Sequence, residues 1–352
     1  MAQNNGKKRG YRVRYDRIIF CVVILVVLIL LLTSCIRSCG KKDTLPVESQ
    51  VDSLQDALET EPATGATDGA VTSKAEVPPS GYSTITMDSD DIHTGDLILV
   101  NTDYPCEFNG DDVADGTSPD INFVTIRMAI LENKERPWHY SAADWEVGLD
   151  RTAAFAMDSW FEGFFDATRN TDLRMIGGYR ADAGDPDFRT GRTLTIGIYP
   201  ESGSSNFYRA DEEHAWLAEH AHEYGFILRY PEGKDDYFDS NITSRRTATF
   251  RYVGIAAATY MAENDLCLEE FLDAVKRYSI DSMLTVTCGS AEYGIYYIPA
   301  NATSSSTSFS VPKDYSYTVS GNNMDGFIIT VALNDAAANV KNATPDYEDL
   351  DG

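Results

Sequence analysis

Basic side chains are scarce through most of this chain. Of its 29 Lys and Arg, nine fall within the first 42 residues beside a single Asp, a local balance of +8. Residues 43–352 therefore carry 20 basic against 54 acidic groups, or −34. A body so acidic excludes nucleic acid as a partner, because that association rests on cations displacing counterions from phosphate. A cationic head on an anionic body also excludes an ordinary cytosolic enzyme. Histidine is scarce as well. His93, His139, His214, His220 and His222 are the full set, and no two stand four apart, the spacing that puts two rings on one helix face. Glu213-His214 to Glu219-His220 is only superficially like a zinc-peptidase helix motif. The three cysteines of the body, Cys106, Cys267 and Cys288, lack the Cys-x-x-Cys spacing of a zinc cluster. A Cys267–Cys288 bridge and buried free thiols are both open readings. There is no Gly-rich phosphate loop and no Gly-x-Ser-x-Gly elbow, and Ser202, Ser204 and Ser205 read as a polar loop without a base beside it.

What the N-terminus does have is a long apolar run. Ile18 to Ile36, IIFCVVILVVLILLLTSCI, contains no charged residue. At about 1.5 Å per residue such a helix spans about 28 Å, close to the hydrocarbon thickness of a bilayer. Lys7, Lys8, Arg9, Arg12, Arg14 and Arg17 precede it, so residues 1–17 are expected inside the cell and the body outside, on a single-pass anchor in the cell membrane. Leu32-Thr33-Ser34-Cys35 also fits a bacterial lipobox, which makes a lipoprotein at Cys35 the alternative; the long basic lead favours the uncleaved helix.

Residues 37–81 are rich in Thr, Ser, Pro, Ala and acidic groups, with too little apolar surface to offset the entropy of ordering, and read as a disordered stalk. An acidic tail, 336–352, reads the same way. Between them, Gly95–Asn101 predicts a buried strand. Asp150–Thr168 predicts a helix whose Trp160, Phe161, Phe164 and Phe165 form a core stripe. Strands are expected over Leu173–Tyr179, Arg192–Tyr199, Phe226–Tyr230 and Thr249–Val253, with helices over Asp211–Tyr224, stopped by Gly225, and over Gly254–Asn264. Helices and strands mixed in this order predict an α+β domain.

Several of these segments are familiar. Asp211 to Lys234, DEEHAWLAEHAHEYGFILRYPEGK, followed by Phe250-Arg251-Tyr252-Val253-Gly254, resembles the VanY-like D-alanyl-D-alanine carboxypeptidases, zinc peptidases of hedgehog-type fold that trim bacterial cell-wall stem peptides. Ile92–Asn101, Gly178-Tyr179-Arg180 and Cys267–Leu272 resemble the family in the same order. The resemblance implies a peptidase-like domain over 82–286 and a β-rich appendage over 287–335.

The same resemblance exposes a departure. The family pattern supplies two His and one Asp to zinc and a Glu to activate the metal-bound water. On this chain the first His falls on Phe188, the Asp on Thr195, the second His on Thr249 and the Glu on Arg246. Phenylalanine has no donor, threonine is a poor neutral ligand, and arginine is a permanent cation unable to act as a base. Only Ala181 to Asp187 separate Arg180 from Phe188, where the family carries a longer helical stretch. No catalytic residue and no bound metal are therefore expected, although the family's cofactor is zinc. Arg180, with Tyr179 beside it, matches the family position facing the peptide terminus, where a guanidinium fork suits a carboxylate; a structural ion pair is the other reading. Arg246 adds positive charge nearby. Two functions follow: a non-catalytic, membrane-anchored carboxypeptidase-like protein that binds peptidoglycan stem peptides or an envelope protein, or an active metallo-carboxypeptidase with atypical ligands.

Overall fold

The computed structural model of the chain describes residues 81–105, 123–126, 138–144, 147–180, 183–238 and 245–342. The anchor expected at 18–36, the segment before it, Cys35, Cys106 and nearly all of the stalk lie outside the described residues. Among the described residues no helix is long and apolar enough to cross a membrane.

In chain order the elements are β1 (Tyr82–Asp88), β2 (Phe123–Thr125), β3 (Ser141–Ala142), β4 (Gly148–Asp150), α1 (Arg151–Thr168), β5 (Leu173–Gly177), β6 (Thr193–Ile198), β7 (Asn206–Phe207), α2 (Ala215–His220), β8 (Phe226–Leu228), β9 (Thr249–Tyr252), α3 (Ile255–Glu263), α4 (Leu268–Val275), β10 (Leu284–Cys288), β11 (Ala291–Pro299), β12 (Ser306–Pro312), β13 (Tyr317–Gly321), β14 (Gly326–Ala332) and α5 (Asp335–Asn342). One sheet runs β3-β5-β6-β9-β8 with β7 beside β6, and a four-stranded sheet runs β10-β11-β14-β13. The domain is mixed α and β, as the pattern of the sequence predicts.

Helix α1 builds the first core. Asp150 caps it by accepting from the Thr152 N–H at 3.0 Å, and Arg169, left-handed at φ 62°, ends it. Its Met157, Trp160, Phe161 and Phe164 are fully buried. The Trp160 ring stacks on Phe226 of β8 at 5.0 Å and meets Phe250 of β9 edge-on at 5.0 Å. Each such aromatic contributes about 1.5–3 kcal/mol by leaving water, enough to fix the sheet against the helix.

The second core joins α3 and α4 to the four-stranded sheet, through Ala257, Leu268, Phe271, Leu284, Ile295 and Ile328. The β-rich segment thus begins within β10, at Leu284, and shares its core with the helices before it.

Three expectations are corrected here. Residues 95–101 are not a strand, although Leu97 to Val100 are buried. Side chains satisfy that backbone instead: Arg251 donates to the Asp96 and Ile98 carbonyls at 3.3 and 3.1 Å, and Asn323 donates to the Leu99 carbonyl at 2.8 Å. Asp211–Tyr224 is not one helix but α2 flanked by two 3-10 turns, with Leu217 and Ala221 as its buried residues; Gly225 ends it at φ 83°. The tail is helical over its first residues as α5, where Ala337 is buried against the second core. Cys267 and Cys288 are free thiols.

Candidate functional site

The positions that the resemblance assigns to the family's metal ligands, Phe188, Thr195 and Thr249, lie close together. β6 and β9 pair antiparallel with Thr195 directly opposite Thr249, and Thr195 is also opposite Gly177 of β5. A Cβ added to Gly177 would lie 3.3 Å from Thr195 Oγ1 and 3.9 Å from a Phe188 ring carbon, so Phe188 closes over the same spot. Phe188 stands in a 3-10 turn, Pro186–Thr190, capped by Asp185 and ended by Gly191 at φ 67°. Phe188, Thr195 and Thr249 are all buried.

This set does not fit zinc. Phe188 offers no electron pair. Thr249 Oγ1 donates to the Arg245 carbonyl at 2.9 Å, and Thr195 Oγ1 is buried without a hydrogen-bond partner. A neutral, protonated hydroxyl competes poorly for a divalent cation against water. Among the described residues no three His, Cys, Asp or Glu side chains gather where a metal ion could be held. Four of the five histidines are engaged elsewhere: His139 Nδ1 lies 2.6 Å from Glu162 and its ring stacks on Phe165, His214 Nε2 is 3.1 Å from Asp172, and His220 Nδ1 is 2.8 Å from Glu223. His93 Nδ1 meets Asn323 at 2.5 Å.

Arg180 is exposed at the rim of this spot, its guanidinium carbon 5.8 Å from the centre of the Phe188 ring. It makes no ion pair with a described residue. Its approach is set by Gly178, where a Cβ would strike the Gly148 carbonyl oxygen at 2.4 Å, and by the Tyr179 N–H, which donates to that same carbonyl at 2.9 Å. The Tyr179 ring packs edge-on against Phe123 at 5.4 Å. Arg246, by contrast, is engaged. It pairs with Asp235, donates to the Pro231 carbonyl at 3.2 Å and lies over Phe238. Its charge is largely met by Asp235 and does not replace a metal beside Thr195.

Behind Phe188 lies a cluster that the sequence reading missed. Asp187 is fully buried; its Oδ1 is 2.7 Å from Arg251 Nη1 and 3.3 Å from Arg229 Nε, and its Oδ2 accepts from the Thr193 hydroxyl. Arg229 in turn grips Glu269 with two bonds, at 2.9 and 3.2 Å. Burial pushes the Asp187 carboxyl up, but Arg251 and then Arg229 outweigh it and hold the group below the usual carboxylate range. Burial, followed by the Asp187 charge, pushes neighbouring Asp185 the other way. The one available signal was a charged residue, Arg229, inside the apolar run Phe226–Tyr230.

No protein-family model matches the chain. It is 29% identical over 251 residues, 70% of its length and 78% of the relative's, to a D-alanyl-D-alanine carboxypeptidase of Enterococcus faecium. It is 41% identical over 66 residues, 19% of this chain and 24% of the relative, to a D-alanyl-D-alanine carboxypeptidase of Enterococcus faecalis (strain ATCC 700802 / V583). Among solved structures it is similar to the vancomycin-resistance D,D-dipeptidase VanXYg, in complex with a D-Ala-D-Ala phosphinate analogue. The TM-score is 0.56 at 25% identity, over 72% of this chain and 99% of that one.

Proposed function

We propose that this chain, similar to the VanY-like D-Ala-D-Ala peptidases, binds without cutting. The observation that carries this reading is the convergence of Phe188, Thr195 and Thr249 on the spot where the family's ligands align. A hydrolase of this kind needs a metal to polarise the scissile carbonyl and a carboxylate base to activate water; here a ring and two hydroxyls stand in the first role, and a paired arginine in the second. The ligand is the carboxylate end of a peptidoglycan stem peptide, received by Arg180, whose exposed fork suits a bidentate, charge-assisted contact. With one such contact and no metal, Kd is about 0.1–1 mM, or about −4 to −5.5 kcal/mol.

The anchor at 18–36, with its six preceding basic residues, holds this body on the outer face of the cell membrane, and residues 37–81 give it reach. Titrating a D-Ala-D-Ala-ended pentapeptide into the full chain in detergent tests the ligand. Saturable binding that Arg180→Ala abolishes supports the reading. Release of D-alanine would instead establish an active carboxypeptidase with atypical ligands.

A further inference from the structure

A groove of about 680 Å³ lies away from Phe188 and Arg180, between the N-terminal ends of α1 and α3 and one face of the four-stranded sheet. The register explains its floor. Thr318 of β13 is opposite Thr330 of β14, and Tyr293 of β11 is opposite Ala332, so these side chains share a face. The β10–β11 half of that face is apolar and covered by α3 and α4, while the β13–β14 half presents hydroxyls to the groove.

Its polar groups are unusual in kind. The hydroxyls of Tyr252, Tyr293, Ser316, Thr318 and Thr330 line it and make no hydrogen bond to a described residue. Tyr293 is 8% exposed, so its ring is buried, and its hydroxyl has no partner among the described residues. The first-turn N–H groups of α3 open onto the same space, because Gly254, at φ 83°, supplies no side-chain cap and has nothing within 4 Å of where a Cβ would be. The charged lining, in contrast, is already satisfied. Arg192 Nε lies 2.6 Å from Asp96 and its Nη2 3.9 Å from Asp150, and Glu223 is paired with His220.

We propose that this groove is a second binding site, for a neutral oligosaccharide bearing N-acyl groups. An ionic ligand would find every described charge taken. An apolar ligand would cut the less exposed hydroxyls, those of Tyr252, Tyr293 and Thr330, off from water and leave them unpaired. A sugar chain offers hydroxyls that both donate and accept, amide oxygens for the helix N-terminus, and apolar ring faces for Tyr252, Tyr293 and Phe155.

The test titrates N,N′,N″,N‴-tetraacetylchitotetraose into the full chain in detergent, with a neutral Ala/Ser tetrapeptide as a second arm and Tyr293→Phe, Thr330→Val and Arg180→Ala as variants. The site predicts saturable tetrasaccharide binding that is insensitive to salt and unchanged in Arg180→Ala. The Tyr293→Phe/Thr330→Val double variant should weaken it roughly tenfold at unchanged melting temperature; Thr318→Val, on the exposed strand, is the second variant should that double variant unfold. No saturation by about 10 mM, equal affinity in every hydroxyl variant, or binding of the tetrapeptide in place of the sugar would each overturn the proposal. Because Arg180 is not in this groove, its failure is separable from failure of the stem-peptide reading.

Discussion

Thr195 lies directly opposite Thr249 in the antiparallel register of β6 and β9, and neither hydroxyl is placed to hold a metal. The β6–β9 register sets these two positions side by side, so donor side chains placed there would face one another. Replacing Phe188 with His, Thr195 with Asp and Thr249 with His should therefore create zinc affinity in the triple variant. Competition with a chromogenic chelator measures it. A triple variant that folds yet holds zinc no better than the parent would show that these three positions are not the family's ligand positions.

Asp187 is the group whose loss should hurt stability most. Asp187→Asn leaves Arg229 and Arg251 facing a neutral amide in a dry interior, a change worth about 3–5 kcal/mol. The pH dependence has a fixed sign. Arg251 and Arg229 hold the folded carboxyl below its unfolded value of about 3.9. Its stabilisation is thus fully present above that value and disappears as pH falls through the folded one. Urea unfolding at pH 7 and across pH 2–5 should show the parent losing stability on the acid side and the variant losing less. Equal stability of the two at pH 7 would refute the role given to this carboxylate.

The sequence made α1 legible, because its apolar residues repeat at helical spacing and Asp150 caps it. The short strands β5, β6, β8 and β9 were legible from β-branched and aromatic runs. The resemblance singled out Phe188, Thr195 and Thr249, which the strand register and the Gly177 position place close together. What could not be read was pairing across the chain. Asp187 and Arg251 are 64 residues apart, and Arg229 and Glu269 are 40 apart, so nothing local announces them. Residues 95–101 misled for the same reason: apolar content predicted a strand, while the carbonyls are satisfied by a guanidinium from β9. Asp211–Tyr224 misled because its apolar residues, Trp216, Leu217, Ala221 and Tyr224, do pack on the core at helical spacing, yet the segment is split into α2 and two 3-10 turns.

Arg180 is exposed and makes no ion pair with a described residue, so Arg180→Ala should leave the melting temperature unchanged, surface substitutions of this sort staying within about 0.5 kcal/mol. The same variant should lose stem-peptide binding, and the parent's affinity should weaken as salt rises. A fall in stability together with unchanged binding would make Arg180 structural.

Gly178→Ala drives a methyl group into the Gly148 carbonyl oxygen. Backbone on both sides must shift, at about 1–3 kcal/mol, and Arg180 moves with it. Thermal unfolding and peptide titration should therefore both worsen, in contrast to Arg180→Ala, where only binding does. A variant as stable as the parent would mean that the close approach of the two segments is not needed.

The most direct test of the central claim is a zinc count on the purified full chain, made alongside an assay for D-alanine released from a D-Ala-D-Ala-ended pentapeptide. The account predicts less than a tenth of an equivalent of zinc (~0.1 per chain), no melting-temperature change on adding a chelator, and no D-alanine. About one equivalent of tightly held zinc, with D-alanine release that a chelator stops, would contradict it.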